Sequence, residues 1–149
     1  MTVTIAPTGE LVGVAWLATL PGITTGMVGT TLPTDATAWE TTGFLTVTLA
    51  GGVPDMYVPI RRPLLQVDVW AVKVGAQRPP WGRCDQLAQK VIAGCYGQTA
   101  APTRLTVHAG TNTATARLCG AWPASEPTRV WGDDSSYARI RVDVRIDWI

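Results

Sequence analysis

The longest strict alternation of apolar and polar residues runs from Tyr137 to Trp148, where Ala138, Ile140, Val142, Val144, Ile146 and Trp148 interleave with Arg139, Arg141, Asp143, Arg145 and Asp147. Period-two alternation places one row on each face of a strand, so this segment predicts a strand with an apolar inner face and a charged outer one. Fully burying a Val or Ile side chain contributes roughly 1.5–3 kcal/mol, so the inward row supplies on the order of 10 kcal/mol before conformational entropy is subtracted. A second strand follows Pro63. Leu65, Val67, Val69 and Ala71 face one way, and Leu64, Gln66, Asp68, Trp70 and Val72 face the other. The first row is wholly apolar. The second mixes polar and aromatic groups, so it is neither a dry core nor an ordinary wet surface.

From Gly43 to Ala50, Leu45, Val47 and Leu49 alternate with Phe44, Thr46 and Thr48, a run of high β propensity. Gly51-Gly52 and Pro54-Asp55 carry turn chemistry, and Met56 to Ile60 leads into the strand after Pro63. Further strands are expected over Arg104–His108 and Thr113–Trp122, with Pro123–Pro127 a turn-rich link and Thr128–Trp131 an edge segment. Helical spacing occurs twice. Thr8 caps a helix over roughly Gly9 to Leu20, with Glu10 in its first turn, and Pro21-Gly22 ends it. Cys84, Leu87, Ala88, Val91, Ile92 and Cys95 recur at intervals of three and four, predicting an amphipathic helix from Arg83 to about Tyr96 with Gly97 as its C-cap.

Residues 23–42 are rich in Thr, Gly and Pro and lack sustained periodicity, apart from a short strand over Met27–Leu32. They read as a long arm or loop, and loops of that length commonly meet a partner. A second loop, residues 75–81, is stiffened by Pro79-Pro80. The order helix, arm, strand, strand, helix and further strands favours one α+β domain spanning residues 1–149, a mainly antiparallel sheet with two helices packed on one face.

Composition narrows the function classes. The chain has 149 residues, enough for one domain to bury a core unaided. No apolar run approaches the roughly 18–20 residues of a membrane span, and the N-terminus lacks signal-peptide character, so residence in the cytosol is expected. A formal charge of +1, with no basic run longer than Arg61-Arg62, argues against tight nucleic-acid binding, which rests on many phosphate contacts. The three cysteines form no Cys-x-x-Cys pair. On one helix Cys84 and Cys95 stand about 16 Å apart along the axis, too far for a disulfide, and reduced thiols are expected.

Candidate chemistry is sparse. His108 is the sole histidine, and the scattered cysteines lack the close pairing common in structural zinc sites. Ser135 or Ser136, His108 and Asp133 or Asp134 supply the residue types of a hydrolytic triad, yet no Gly-x-Ser-x-Gly turn accompanies them. Asp133-Asp134 reads as part of a turn, and no phosphate loop is present. No catalytic residue, cofactor or metal is therefore expected, and the chain reads as a non-enzyme. Seven tryptophans stand beside one phenylalanine. Periodicity places Trp16 and Trp148 in the core. Trp39, Trp81 and Trp131 fall in or beside loops with Pro, Gly and Arg, where local packing and subunit contact are both open, since Trp and Arg concentrate at interface centres.

Arg61-Arg62-Pro63-Leu64-Leu65-Gln66-Val67-Asp68-Val69-Trp70-Ala71, followed after a Pro-containing loop by a helix bearing Leu87-Ala88 and Val91-Ile92, resembles the tail terminator (tail completion) proteins of long-tailed bacteriophages. In that family an Arg-Pro-x-x-Gln-Val-Asp-x-aromatic strand precedes an Ala/Leu-rich helix, matched here by Arg62, Pro63, Gln66, Val67, Asp68 and Trp70. Chain length, early helix and final strands extend the likeness. The resemblance implies a virion protein of the tail or neck, assembled in the bacterial host's cytoplasm, whose subunits form a ring, usually a hexamer. Such a ring caps the tail tube, stops its polymerisation and offers a surface for head joining. Its partners would be further copies of itself, the major tail tube protein and a head-tail connector or head-closure protein, with DNA passing through the lumen without specific binding and no membrane involved. Arg61, Arg62, Gln66, Asp68, Trp70, Trp81 and Trp131 are the expected interface residues. The alternatives are another neck component, a head-closure or adaptor protein, and a small cytosolic α+β enzyme or ligand-binding domain.

Overall fold

The computed structural model describes residues 7–96, 103–131 and 136–149. Its elements are α1 (Gly9–Leu17), β1 (Val28–Gly29), β2 (Phe44–Gly51), β3 (Leu64–Val72), α2 (Trp81–Tyr96), β4 (Thr103–Ala109), β5 (Asn112–Pro123), β6 (Thr128–Arg129) and β7 (Tyr137–Trp148). Among the described residues the strands form one sheet of order β1-β2-β3-β7-β5-β4, with β6 beside the first half of β7. Every pairing is antiparallel except the short parallel one between β1 and β2. The fold is α+β, mainly antiparallel, with both helices on the apolar face of a curled sheet.

The two best-patterned strands lie side by side at its centre. Val67 sits opposite Val142, Val69 opposite Ile140 and Leu65 opposite Val144, and the same rows continue across β3 to Val47, Leu45 and Leu49 of β2. Apolar residues thus meet apolar residues on one face throughout. A slip of one residue would place valines against arginines, so the register is strongly specified.

Both helices cover this row. The Thr8 hydroxyl caps α1 by accepting the Leu11 N–H at 3.3 Å. Gly13 lets the helix settle onto the sheet, for a Cβ there would lie 2.5 Å from Leu65 Cδ1 and 3.2 Å from Val47 Cγ1. The helix stops at Leu17, earlier than its apolar pattern predicts. The chain turns there, with the Thr19 hydroxyl and N–H both donating to the Trp16 carbonyl at 2.6 and 3.0 Å. Leu20 stays buried without being helical, which is why periodicity alone overran the end.

Helix α2 begins at Trp81, two residues before the periodic pattern. Pro79 and Pro80 lend carbonyls to the N–H groups of Trp81 and Cys84 at 2.9 and 3.1 Å. The expected C-cap, Gly97, lies outside the described residues. Cys84 and Cys95 are buried on the helix's inner side, and burial pushes their thiols up to about 12 and about 11. Cys119, on β5, is exposed. Native protein at pH 8 should therefore react with a thiol reagent at Cys119 alone, and at all three cysteines once unfolded. Rapid labelling of Cys84 or Cys95 in the folded protein would contradict this packing.

The arm is folded against the sheet. Ile23, Met27 and Val28 enter the main core. A tight turn at Ala36–Ala38 follows, capped by the Asp35 carboxylate, which accepts the Thr37 N–H at 3.1 Å and hydroxyl at 2.6 Å. The chain then brings Trp39 into a second small cluster with Phe44 and Val72, flanked by Leu32, Trp70 and Tyr137. Phe44 and Val72 belong to the row opposite the helices, so the arm passes round the β2 edge and covers one end of the outer face. Trp39, 2 % exposed, is a local packing residue. Residues 56–60, read as leading into a strand, form a loop without regular structure.

Candidate functional site

Outside the patch covered by the arm, the outer face of the sheet carries no helix among the described residues and is built from ordered charges. The strand registers align Phe44, Trp70 and Arg139 in one cross-strand row, then Thr46, Asp68 and Arg141, then Thr48, Gln66 and Asp143. Asp68, 4 % exposed, is the hub. Its Oδ2 accepts from Arg139 Nη2 and from Gln66 Nε2, both at 3.1 Å, and its Oδ1 lies 3.8 Å from Arg141 Nε. Trp70 donates its indole N–H to the Thr46 hydroxyl at 3.1 Å while the Arg139 guanidinium stacks 4.8 Å from its ring centre. An acid at this point of β3 thus holds two arginines of β7 in place, and a ring beside it steadies one of them.

The array continues toward the end of β7. Arg145 lies 3.4 Å from Asp147 and 5.9 Å from the centre of the Trp122 ring. Arg62 spans Asp147 at 3.7 Å and Asp55 at 3.1 Å. The 3.7 and 3.8 Å separations are ion-pair contacts too long for hydrogen bonds. Arginine and acid alternate across the face, so it presents fixed charge of both signs with little net field.

The expected interface residues therefore divide. Arg62, Gln66, Asp68 and Trp70 are brought together on this face. Arg61 has its guanidinium 5.9 Å from the Trp148 ring centre, and its backbone exchanges hydrogen bonds with Trp148 at 2.8 and 2.9 Å. Trp81 and Trp131 meet edge to face at 5.3 Å beside the start of α2, with Arg129 over Trp81 at 4.9 Å, on the helix-bearing side. Trp131 is 75 % exposed. Arg139, Arg141, Arg145, Asp147 and Trp122 were not anticipated as site residues. Their signal was the charged row of β7, which acquires meaning only once β7 is known to lie beside β3.

His108 is exposed on β4, whereas the thiols of α2 are buried. Among the described residues no three His, Cys, Asp or Glu side chains converge as metal ligands would. Asp133, Asp134 and Ser135 lie outside the described residues. No described helix is long and apolar enough to cross a membrane. Compared with known proteins, the chain matches no protein-family model, and no curated protein matches it significantly.

Proposed function

We propose that this protein is a ring-forming tail terminator of a long-tailed bacteriophage, a structural virion protein that caps the tail tube, ends its polymerisation and provides the surface for head joining. The observation that carries the reading is the Arg62-Pro63-Leu64-Leu65-Gln66-Val67-Asp68-Val69-Trp70 strand. Its apolar members face the helices, and Arg62, Gln66, Asp68 and Trp70 stand on the face no helix covers, tied to arginines and acids of β3, β7 and the preceding loop. Such a face suits contact with other subunits or with passing DNA. Matched charges give specificity between protein surfaces, and a face of low net charge holds phosphates weakly. In an assembled tail the same ring would meet its own copies laterally, the major tail tube protein on one side and a connector or head-closure protein on the other.

Deleting the gene from a phage that encodes this protein should leave tails of uncontrolled length or tails unjoined to heads in electron micrographs, with plasmid-borne protein restoring normal particles. Infectious particles of normal form without it would reject the assignment.

A further inference from the structure

A pocket of about 190 Å³ lies where the end of β2, the start of α1 and the entrance to β3 meet the end of β7, lined by Gly9, Gly51, Gly52, Arg61, Arg62 and Trp148 among others. Its walls form by close backbone approach. Gly52, at φ 112°, lies so near the β3 entrance that a Cβ there would collide with the Arg62 carbonyl and stand 2.9 Å from Pro63 Cα. Gly9 brings α1 equally close, since a Cβ on it would stand 3.1 Å from Pro63 Cβ.

The polar side chains in this lining are Arg61, Arg62 and Trp148, and all three are donors that carry no acceptor atom. No acidic side chain among the described residues lines the pocket. Arg62 is engaged from outside it by Asp55 at 3.1 Å and Asp147 at 3.7 Å, yet its Nε is buried and makes no hydrogen bond among the described residues. Trp148 is 3 % exposed, and its indole N–H is unpartnered in the same way. Arg61 has no acidic partner among the described residues, and its guanidinium stands 5.9 Å from the centre of the Trp148 ring. Glu10, in the first turn of α1, is taken up by the Leu49 N–H, which its Oε1 accepts at 3.0 Å. Buried donors in native proteins nearly always meet an acceptor, because an unmet one keeps its full desolvation cost.

We propose that this pocket binds a carboxylate, held by Arg61 with the Trp148 indole N–H and Arg62 Nε as further donors. The charge selects the ligand. Asp55 and Asp147 already answer Arg62, so Arg61 is left to balance a single negative charge, and a carboxylate offers that charge with two oxygens able to accept several N–H groups. A phosphate dianion would bring a second charge that no lining cation answers. The same group is carried by a free small acid or by an Asp or Glu side chain of another subunit, and the two sources are separable by experiment.

Acetate titrated into the 15N-labelled full chain at constant ionic strength, with chloride as the control anion, supplies the test. The Trp148 indole peak is the one that Trp148→Phe removes. It should shift saturably with acetate and stay in place with chloride. Arg61→Gln, which changes an exposed side chain and keeps both backbone hydrogen bonds to Trp148, should weaken acetate binding roughly tenfold. Light scattering with and without acetate identifies the source. Acetate that also raises the protein concentration needed for assembly assigns the carboxylate to another subunit, whereas a shift with assembly unchanged assigns it to a free acid. A Trp148 peak that moves neither with acetate nor on dilution through the assembly range would overturn the site, as would an acetate shift that Arg61→Gln leaves unaltered. Neither result touches the tail-terminator reading, which the gene deletion tests separately.

Discussion

Trp148→Ala should cost about 3–5 kcal/mol of folding stability, the range for removing a large aromatic side chain from a core. Trp148 is 3 % exposed, stands opposite Leu118 in the β5–β7 ladder, and exchanges both backbone hydrogen bonds with Arg61. The substitution therefore empties a site where β7, β5 and the entrance to β3 converge. Domains are stable by only about 5–15 kcal/mol, so the loss is a large part of the total, and the melting temperature should fall by on the order of 10 °C. Its indole N–H has no hydrogen-bond partner among the described residues, so Trp148→Phe, which keeps a ring and discards only that donor and some volume, should cost far less. Urea denaturation of the two variants checks both statements. Equal losses would mean that the indole nitrogen, not the packing, matters at this position.

Asp68→Ala should remove about 1–3 kcal/mol, less than the roughly 3–5 kcal/mol of breaking a wholly buried pair. The discount follows from geometry. The Asp68 side chain is 6 % exposed, but Arg139 and Arg141 are 30 % and 43 % exposed, so both guanidinium groups can turn to solvent when their acid is lost. The effect should reach past Asp68 itself, because Gln66 and Arg139 both lose an acceptor and Arg139 loses the anchor that sets it over Trp70. A double-mutant cycle with Arg139→Ala measures the pair directly. Coupling near zero would show that the two residues are neighbours without mutual dependence. Where the outer face meets other subunits, Asp68→Ala should also weaken ring formation beyond what its stability loss explains.

Much of the sheet is legible in the sequence, because strand burial has a local period. The alternation in Tyr137–Trp148 coincides with β7, and that in the strand after Pro63 coincides with β3, with each inner row buried as its pattern requires. The N-cap at Thr8 was readable because a hydroxyl before an apolar turn meets free N–H groups only a few residues away. Local chemistry failed where burial outran secondary structure. Leu20 keeps the apolar spacing of α1 after the helix has ended, and Trp39 sits among Thr, Pro and Ala with no periodicity to assign it a side.

The sequence by itself determined which residues form strands and helices and which face of each is apolar, since these follow from side-chain direction over a few residues. Only the tertiary structure decided what those faces meet. Asp68 and Arg139 are separated by 71 positions, and nothing local says that β7 rather than β5 lies beside β3. The arm's return to the outer face and the tie between Asp55 and Arg62 have the same origin. Strand neighbours are selected by whole-sheet register and shared burial, and that selection is a property of the assembled core rather than of any one segment.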